Sequence, residues 1–160
     1  YKNGQISYGL TRGTGEVGEE ITENICTIKN FPKKISSIRN IEVRGEIYMD
    51  KLDFVKLNKQ RINEQLTPFA NPRNAASGSL RQLESKITSS RPLKYFAWSS
   101  IVDEETNEDK QLEYLSYLGF QVVPYIVTDS LEQMHSYYLN QYDFRSTLAF
   151  DIDCLVYKIN

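Results

Sequence analysis

Polar and apolar positions along this chain repeat with two different periods. From Ile41 to Met49 the period is two. Val43, Gly45 and Ile47 fall on one face and Arg44, Glu46 and Tyr48 on the other, the pattern of a half-buried strand. Arg91 to Trp98 leads into a second strand, Phe120 to Val127 reads as a short one interrupted by Pro124, and Leu155 to Ile159 as another. Helical spacing appears elsewhere. Ile21, Ile25 and Ile28 give 21–28 one buried face. Asp53 reads as the cap of a helix running to about Gln65, with Phe54, Leu57 and Ile62 inward. Leu112 to Leu118 reads as a helix stopped by Gly119, and Asp129 or Ser130 caps a helix with the stripe Leu131, Met134 and Tyr138. At the other end of the chain, Asn3-Gly4 signals a hairpin whose return strand is Ile6 to Gly13. The order of these elements predicts an α+β fold, not alternating parallel βαβ units. Val102 to Lys110 is polar and acidic and reads as a surface loop.

Length and composition narrow the class. At 160 residues the chain is one domain's worth, and its 40% hydrophobic and 25% charged residues are ordinary for a soluble globular protein. No apolar run is long enough to cross a membrane and no signal-peptide pattern appears, so no membrane partner is expected. Cys26 and Cys154 lie far apart, in no metal-like spacing, which points to a reducing cytoplasm. His135 stands alone on a helix, so neither a Ser-His-Asp nor a zinc arrangement can be built. A net charge of −2 argues against a whole-surface electrostatic grip on DNA and leaves room for a local basic site. Both ends read as cut: the hairpin signal sits at the first residues and the last run is strand-like. The expectation is an excised part of a larger chain.

The densest chemistry lies in Phe69 to Leu83. Asn71 suits an N-cap and Pro72 the first helical position, where a missing amide hydrogen costs nothing. Small residues fill 75–79, allowing close approach of a backbone or ligand. Arg73 and Arg81 bracket them, and guanidiniums near a helix N-terminus suit phosphate. A glycine-rich loop, Thr11-Arg12-Gly13-Thr14-Gly15, offers another close approach. Glu46 can accept hydrogen bonds from a ribose hydroxyl, with Gly45 leaving room beside it. Lys51-Leu52-Asp53-Phe54 lacks the glycine of a Lys-x-Asp-Gly nucleophile motif and follows Glu46 instead of preceding it, so Lys51 reads as structural.

The block Asn71-Pro72-Arg73-Asn74-Ala75-Ala76 with Gly78-Ser79-Leu80-Arg81-Gln82-Leu83 resembles the adenylation (nucleotidyltransferase) domain of bacterial NAD-dependent DNA ligases, and ATP-dependent ligases do not carry it. The resemblance covers essentially the whole chain, 1–160, read as a partial adenylation domain of a multidomain parent. Val43-Arg44-Gly45-Glu46 is similar to the family's Val-Arg-Gly-Glu motif, and 152–158 to its Ile-Asp-Gly-Val-Val-x-Lys. Departures are Thr14 and Glu20 for aspartate, Ser99-Ser100 for glycines, Trp98 for tyrosine and Cys154 for glycine. The resemblance implies a nucleotidyltransferase (ATP-grasp-like) fold, with antiparallel sheets flanked by helices around an AMP pocket. It implies NAD as AMP donor, Mg²⁺, nicked duplex DNA as partner and a monomeric parent. Glu46 would hold the ribose, and Trp98 and Val156 the adenine. Lys158, Arg73, Arg81 and Arg145 would meet phosphates, Arg12 would line the nucleotide site, and Asp153 would organise the lysine or Mg²⁺. Base–aromatic stacking of the kind assigned to Trp98 is worth roughly 1–3 kcal/mol. The nucleophilic lysine is expected upstream of the hairpin, and the module that captures the nicotinamide half lies outside these residues. Two alternatives stay open: a binding relative that has lost ligation, and an ATP-dependent nucleotidyltransferase.

Overall fold

The computed structural model describes residues 1–101 and 107–159. The chain mixes helix and strand. The elements run α1 (Thr22–Ile25), β1 (Glu42–Met49), α2 (Lys51–Asn63), α3 (Pro72–Leu80), α4 (Ser85–Ser89), β2 (Leu93–Ile101), α5 (Glu108–Tyr117) and α6 (Leu131–Phe144), then a 3₁₀ turn, Arg145–Thr147.

Among the described residues the sheet is two-stranded, β1 antiparallel to β2. Its inner face carries Val43, Gly45, Ile47, Tyr95 and Ala97 and joins a core with Ile21, Ile25, Ile28, Leu57, Ala75, Ala76, Leu80, Leu112, Leu115 and Phe120. Full burial of one such large aliphatic side chain contributes about 1.5–3 kcal/mol. The period-two reading of β1 holds, because Met49 and the odd-numbered positions before it turn inward. In β2 the alternation breaks. Arg44 pairs with Ser99 but Gly45 with Ala97, so Trp98 is an extra residue in a β-bulge. Strict alternation would turn Ser99 inward. The bulge instead buries Ser100 and leaves Trp98 and Ile101 exposed.

Several local expectations change in the fold. The Asn3-Gly4 turn forms, with both residues at positive φ, and Lys2 bridges Gln5. The expected return strand does not follow, because Gln5 bridges Lys34 and the Ile35 amide donates to the Gly4 carbonyl at 2.8 Å. A Cβ on Gly4 would lie 2.5 Å from the Ile35 oxygen, so only glycine allows this approach. Asp50, not Asp53, occupies the N-cap position of α2, and the helix ends at Asn63 with Ile62 exposed. The strand expected at 120–127 reduces to one parallel bridge, Ala97 with Val122; Pro124 removes a ladder donor just beyond it. α5 takes in Glu108 to Lys110, which read as loop; the rest of that expected loop, 102–106, lies outside the described residues. α6 starts on the Ser130 cap, whose hydroxyl accepts from the Gln133 amide at 3.3 Å, but its stripe is not buried and Leu131 is 81% exposed. The 155–159 segment forms no strand.

Burial pushes the phenols of Tyr48 and Tyr95 above the ordinary value of 10.0, and a hydrogen bond to Asp50 pushes the Lys94 ammonium above 10.5. All three groups keep a proton in the folded chain at a pH where the unfolded chain has lost it. Their contribution is therefore complete below about pH 10 and is lost as pH rises through the raised values. The urea midpoint should stay level from pH 8 to 9.5 and fall above pH 10, and Tyr95→Phe should shrink that fall. An unchanged midpoint up to pH 11.5 would contradict this.

Candidate functional site

The outer face of the sheet carries two of the residues the sequence singled out, Glu46 and Trp98. Glu46 stands opposite Phe96, and Tyr48 opposite Lys94. On a strand, Arg44 can reach either neighbour two positions away, since both share its face. It takes Glu42, with Nε to Oε1 at 2.8 Å. Glu46 is left exposed, with no hydrogen bond or ion pair among the described residues. Gly45 points the other way. The space expected beside a ribose is on the core side, and Tyr95 fills it: a Cβ there would lie 2.2 Å from the ring.

Aromatic rings build the floor next to Glu46. Tyr48 stacks on Phe96 with centroids 4.7 Å apart, and Phe150 packs edge-on against both at 5.3 Å. Trp98, 38% exposed, carries the surface onward. The Lys158 ammonium lies 5.5 Å from the Trp98 ring centroid and 2.8 Å from a Glu108 carboxylate oxygen. Glu108 had read as part of a loop, and no local signal marked it as the lysine's partner. Lys158 itself is on an irregular segment, not the strand expected for it.

α3 begins as its sequence dictates. The Asn71 side chain accepts from the Asn74 amide at 2.7 Å, and Pro72 occupies the first helical position. The small residues serve packing. Ala75, Ala76 and Ser79 are buried, and Phe69 lies against Gly78. Asn58 holds Phe69 from both sides, donating to its carbonyl and accepting from its amide, each at 2.9 Å. Arg73 and Arg81 are split between the two ends of α3, about 12 Å apart along the axis at 1.5 Å per residue. Arg73 pairs with Asp153 at 3.1 Å, and Arg81 with Glu19 at 3.5 Å, which ties the glycine-rich loop to the C-terminal end of α3. Asn24 supports that end, donating to the carbonyls of Leu80 and Gln82 at 2.6 and 2.8 Å.

The structure thus brings Trp98 to Lys158 and Arg73 to Asp153, and sets Glu46 on the same sheet face as Trp98. No hydrogen bond or ion pair joins Arg12 or the Arg145 side chain to them among the described residues, and Val156 is 72% exposed. A depression of about 460 Å³ beside the start of α6, lined by Ile126, Ser130, Gln133, Tyr137 and Asn140, contains none of these residues. Among the described residues no three histidine, cysteine or carboxylate side chains come together, and Asp153 is paired with Arg73. This donor set does not fit a resident Mg²⁺.

A face with a free carboxylate, an exposed indole carrying a lysine, and arginines nearby has the groups that enzymes use on nucleotides, and the relatives are enzymes of that class. Curated proteins named DNA ligase match the whole chain: from Rickettsia massiliae (strain Mtu5) at 47% identity over 165 residues, Rickettsia akari (strain Hartford) at 48% over 165, and Wolbachia pipientis subsp. Culex pipiens (strain wPip) at 48% over 162. The chain spans 24% of the length of each. The family model of the NAD-dependent DNA ligase adenylation domain matches residues 1–160, and the chain belongs to that family.

Proposed function

We propose that this chain works, within a longer protein, as part of the adenylation domain of an NAD-dependent DNA ligase, with the nucleotidyltransferase (ATP-grasp-like) fold. A lysine outside these residues attacks the adenylyl phosphorus of NAD. A P–N bond forms, the bond to the bridging phosphate oxygen breaks, and nicotinamide mononucleotide leaves. The AMP then passes to a 5′-phosphate at a nick in duplex DNA, and the 3′-hydroxyl displaces it and seals the strand. Such transfers depend on positioning and charge neutralisation. Glu46 accepts hydrogen bonds from the ribose, Trp98 stacks on the adenine with Val156 beside it, and Lys158 neutralises phosphate charge. Arg12, Arg73, Arg81 and Arg145 supply further positive charge, and Asp153 orients Arg73. The parent protein works as a monomer in the cytoplasm, in DNA replication and repair, with Mg²⁺ accompanying the nucleotide. Its other domains supply much of the DNA grip, since this chain carries a net charge of −2.

The observation that supports this reading most is the meeting of Lys158 with Trp98 on the face that carries Glu46. These residues come from distant parts of the chain; Glu46 and Lys158 match two separate family motifs, and Trp98 stands where the family usually has a tyrosine. Intact-mass spectrometry of the full-length protein after incubation with NAD and Mg²⁺, or ATP and Mg²⁺, tests it. An AMP-sized gain is expected with NAD alone. None is expected on the 160-residue chain, which contains no Lys-x-Asp-Gly. A gain with ATP would move the protein to another branch of nucleotidyltransferases, and no gain with either donor would leave a binding role.

A further inference from the structure

Lys51 opens α2, with only Asp50 between it and the end of β1. Nothing in the chemistry above uses it, yet its contacts converge on one distant arc of chain. Its amide donates to the Ala149 carbonyl at 2.8 Å. Its ammonium donates to the carbonyls of Arg145 and Ser146, each at 3.3 Å, and lies 3.5 Å from the Asp151 carboxylate. An ammonium has three hydrogens to give, and two carbonyls with one carboxylate match them. The carbonyls belong to the 3₁₀ turn that ends α6, where a cation is favoured by the exposed C=O groups.

This arc begins the segment that carries Arg145, Asp153, Val156 and Lys158. The Arg145 side chain is exposed and makes no hydrogen bond among the described residues, so its backbone alone sets where it projects. Lys51 holds that backbone. Within the arc, Phe150 packs on Tyr48 and Phe96, and just beyond it Asp153 reaches Arg73. Lys51 is thus the first fixed point of a segment laid across the outer face.

We infer that Lys51 is a positioning residue for adenylyl transfer: it clamps residues 145–151 to the end of β1, and so holds Arg145 and the following segment at the nucleotide site. This rests on the function proposed above. The test compares Lys51→Met, which keeps length and helix propensity, with Lys51→Arg, which keeps the charge, in the full-length protein. Lys51→Met should raise the apparent KM for NAD in adduct formation about tenfold, the scale of one lost charge-assisted hydrogen bond. kcat should change less, and the amides of 147–153 should exchange hydrogen faster. Lys51→Arg should restore both. A Lys51→Met protein with the parent KM overturns the positioning role, whatever its exchange shows. Should the parent itself form no adduct with NAD, the proposed function fails first. The exchange experiment then decides the clamp alone: faster exchange in Lys51→Met upholds it and unchanged exchange removes it.

Discussion

Lys158→Met in the full-length protein is expected to slow AMP-adduct formation by about 10²–10³-fold, the usual cost of removing one group that stabilises charge in a transition state. Its structural cost should be small. Lys158 and Glu108 are both partly exposed, and such ion pairs contribute only about 0.2–1 kcal/mol. Contact with the Trp98 ring at 5.5 Å adds about 0.5–1 kcal/mol at an exposed site. The thermal midpoint should therefore move little while the rate collapses. Both are measured on the same preparation, by quenched intact-mass time courses and by circular dichroism. Retention of the full rate by Lys158→Met would remove Lys158 from the phosphate site. A loss of rate with an equal loss of folding would make it a structural lysine.

Gly45→Ala is expected to act the other way, through the fold. A methyl group there would lie 2.2 Å from Tyr95 Cζ and Oη and 2.3 Å from the Phe96 carbonyl oxygen. Tyr95 cannot swing aside freely, because it is buried and packs edge-on against Phe31 at 5.0 Å. The Phe96 oxygen belongs to the β2 backbone, so relief means opening the ladder. The loss should reach about 3 kcal/mol, the upper end for overpacking. That corresponds to roughly 6–12 °C in the midpoint for a chain of this size. Glu46 is the next residue, so adduct formation should fall with stability. A Gly45→Ala midpoint within 2 °C of the parent, about 0.5–1 kcal/mol on the same scale, would contradict the packing account.

The two substitutions separate what short-range sequence signals could reveal from what they could not. Glu46 on the outer face of a strand was legible, because period two needs only the neighbouring residues and the pairing with β2 respects it. The Asn71 cap was legible for the same reason: donor and acceptor lie three residues apart. The motif block pointed to the family, and the whole-chain match to the adenylation-domain family agrees with it. The task of Gly45 was misread, since its identity says that space is needed but not on which side. The small residues of α3 were legible as small, but the ring and strand they accommodate were not.

From its own residues the chain thus determined its family, the cap of α3, the face of β1 that bears Glu46 and part of the core, including Ile21, Ile25, Ile28 and Leu57, whereas Ile62 and the stripe of α6 stayed outside. These are set by propensity, spacing and side-chain chemistry within a few residues. Only the tertiary structure decided that a bulge would bury Ser100 in place of Ser99, that Arg73 would pair with Asp153 and Arg81 with Glu19, and that Glu108 would meet Lys158. It alone turned Lys51 from a helix residue into a clamp on carbonyls 94 and 95 residues away. Such contacts depend on the path of the whole chain. A lysine's local sequence carries no record of which distant carbonyls the fold will bring within its reach.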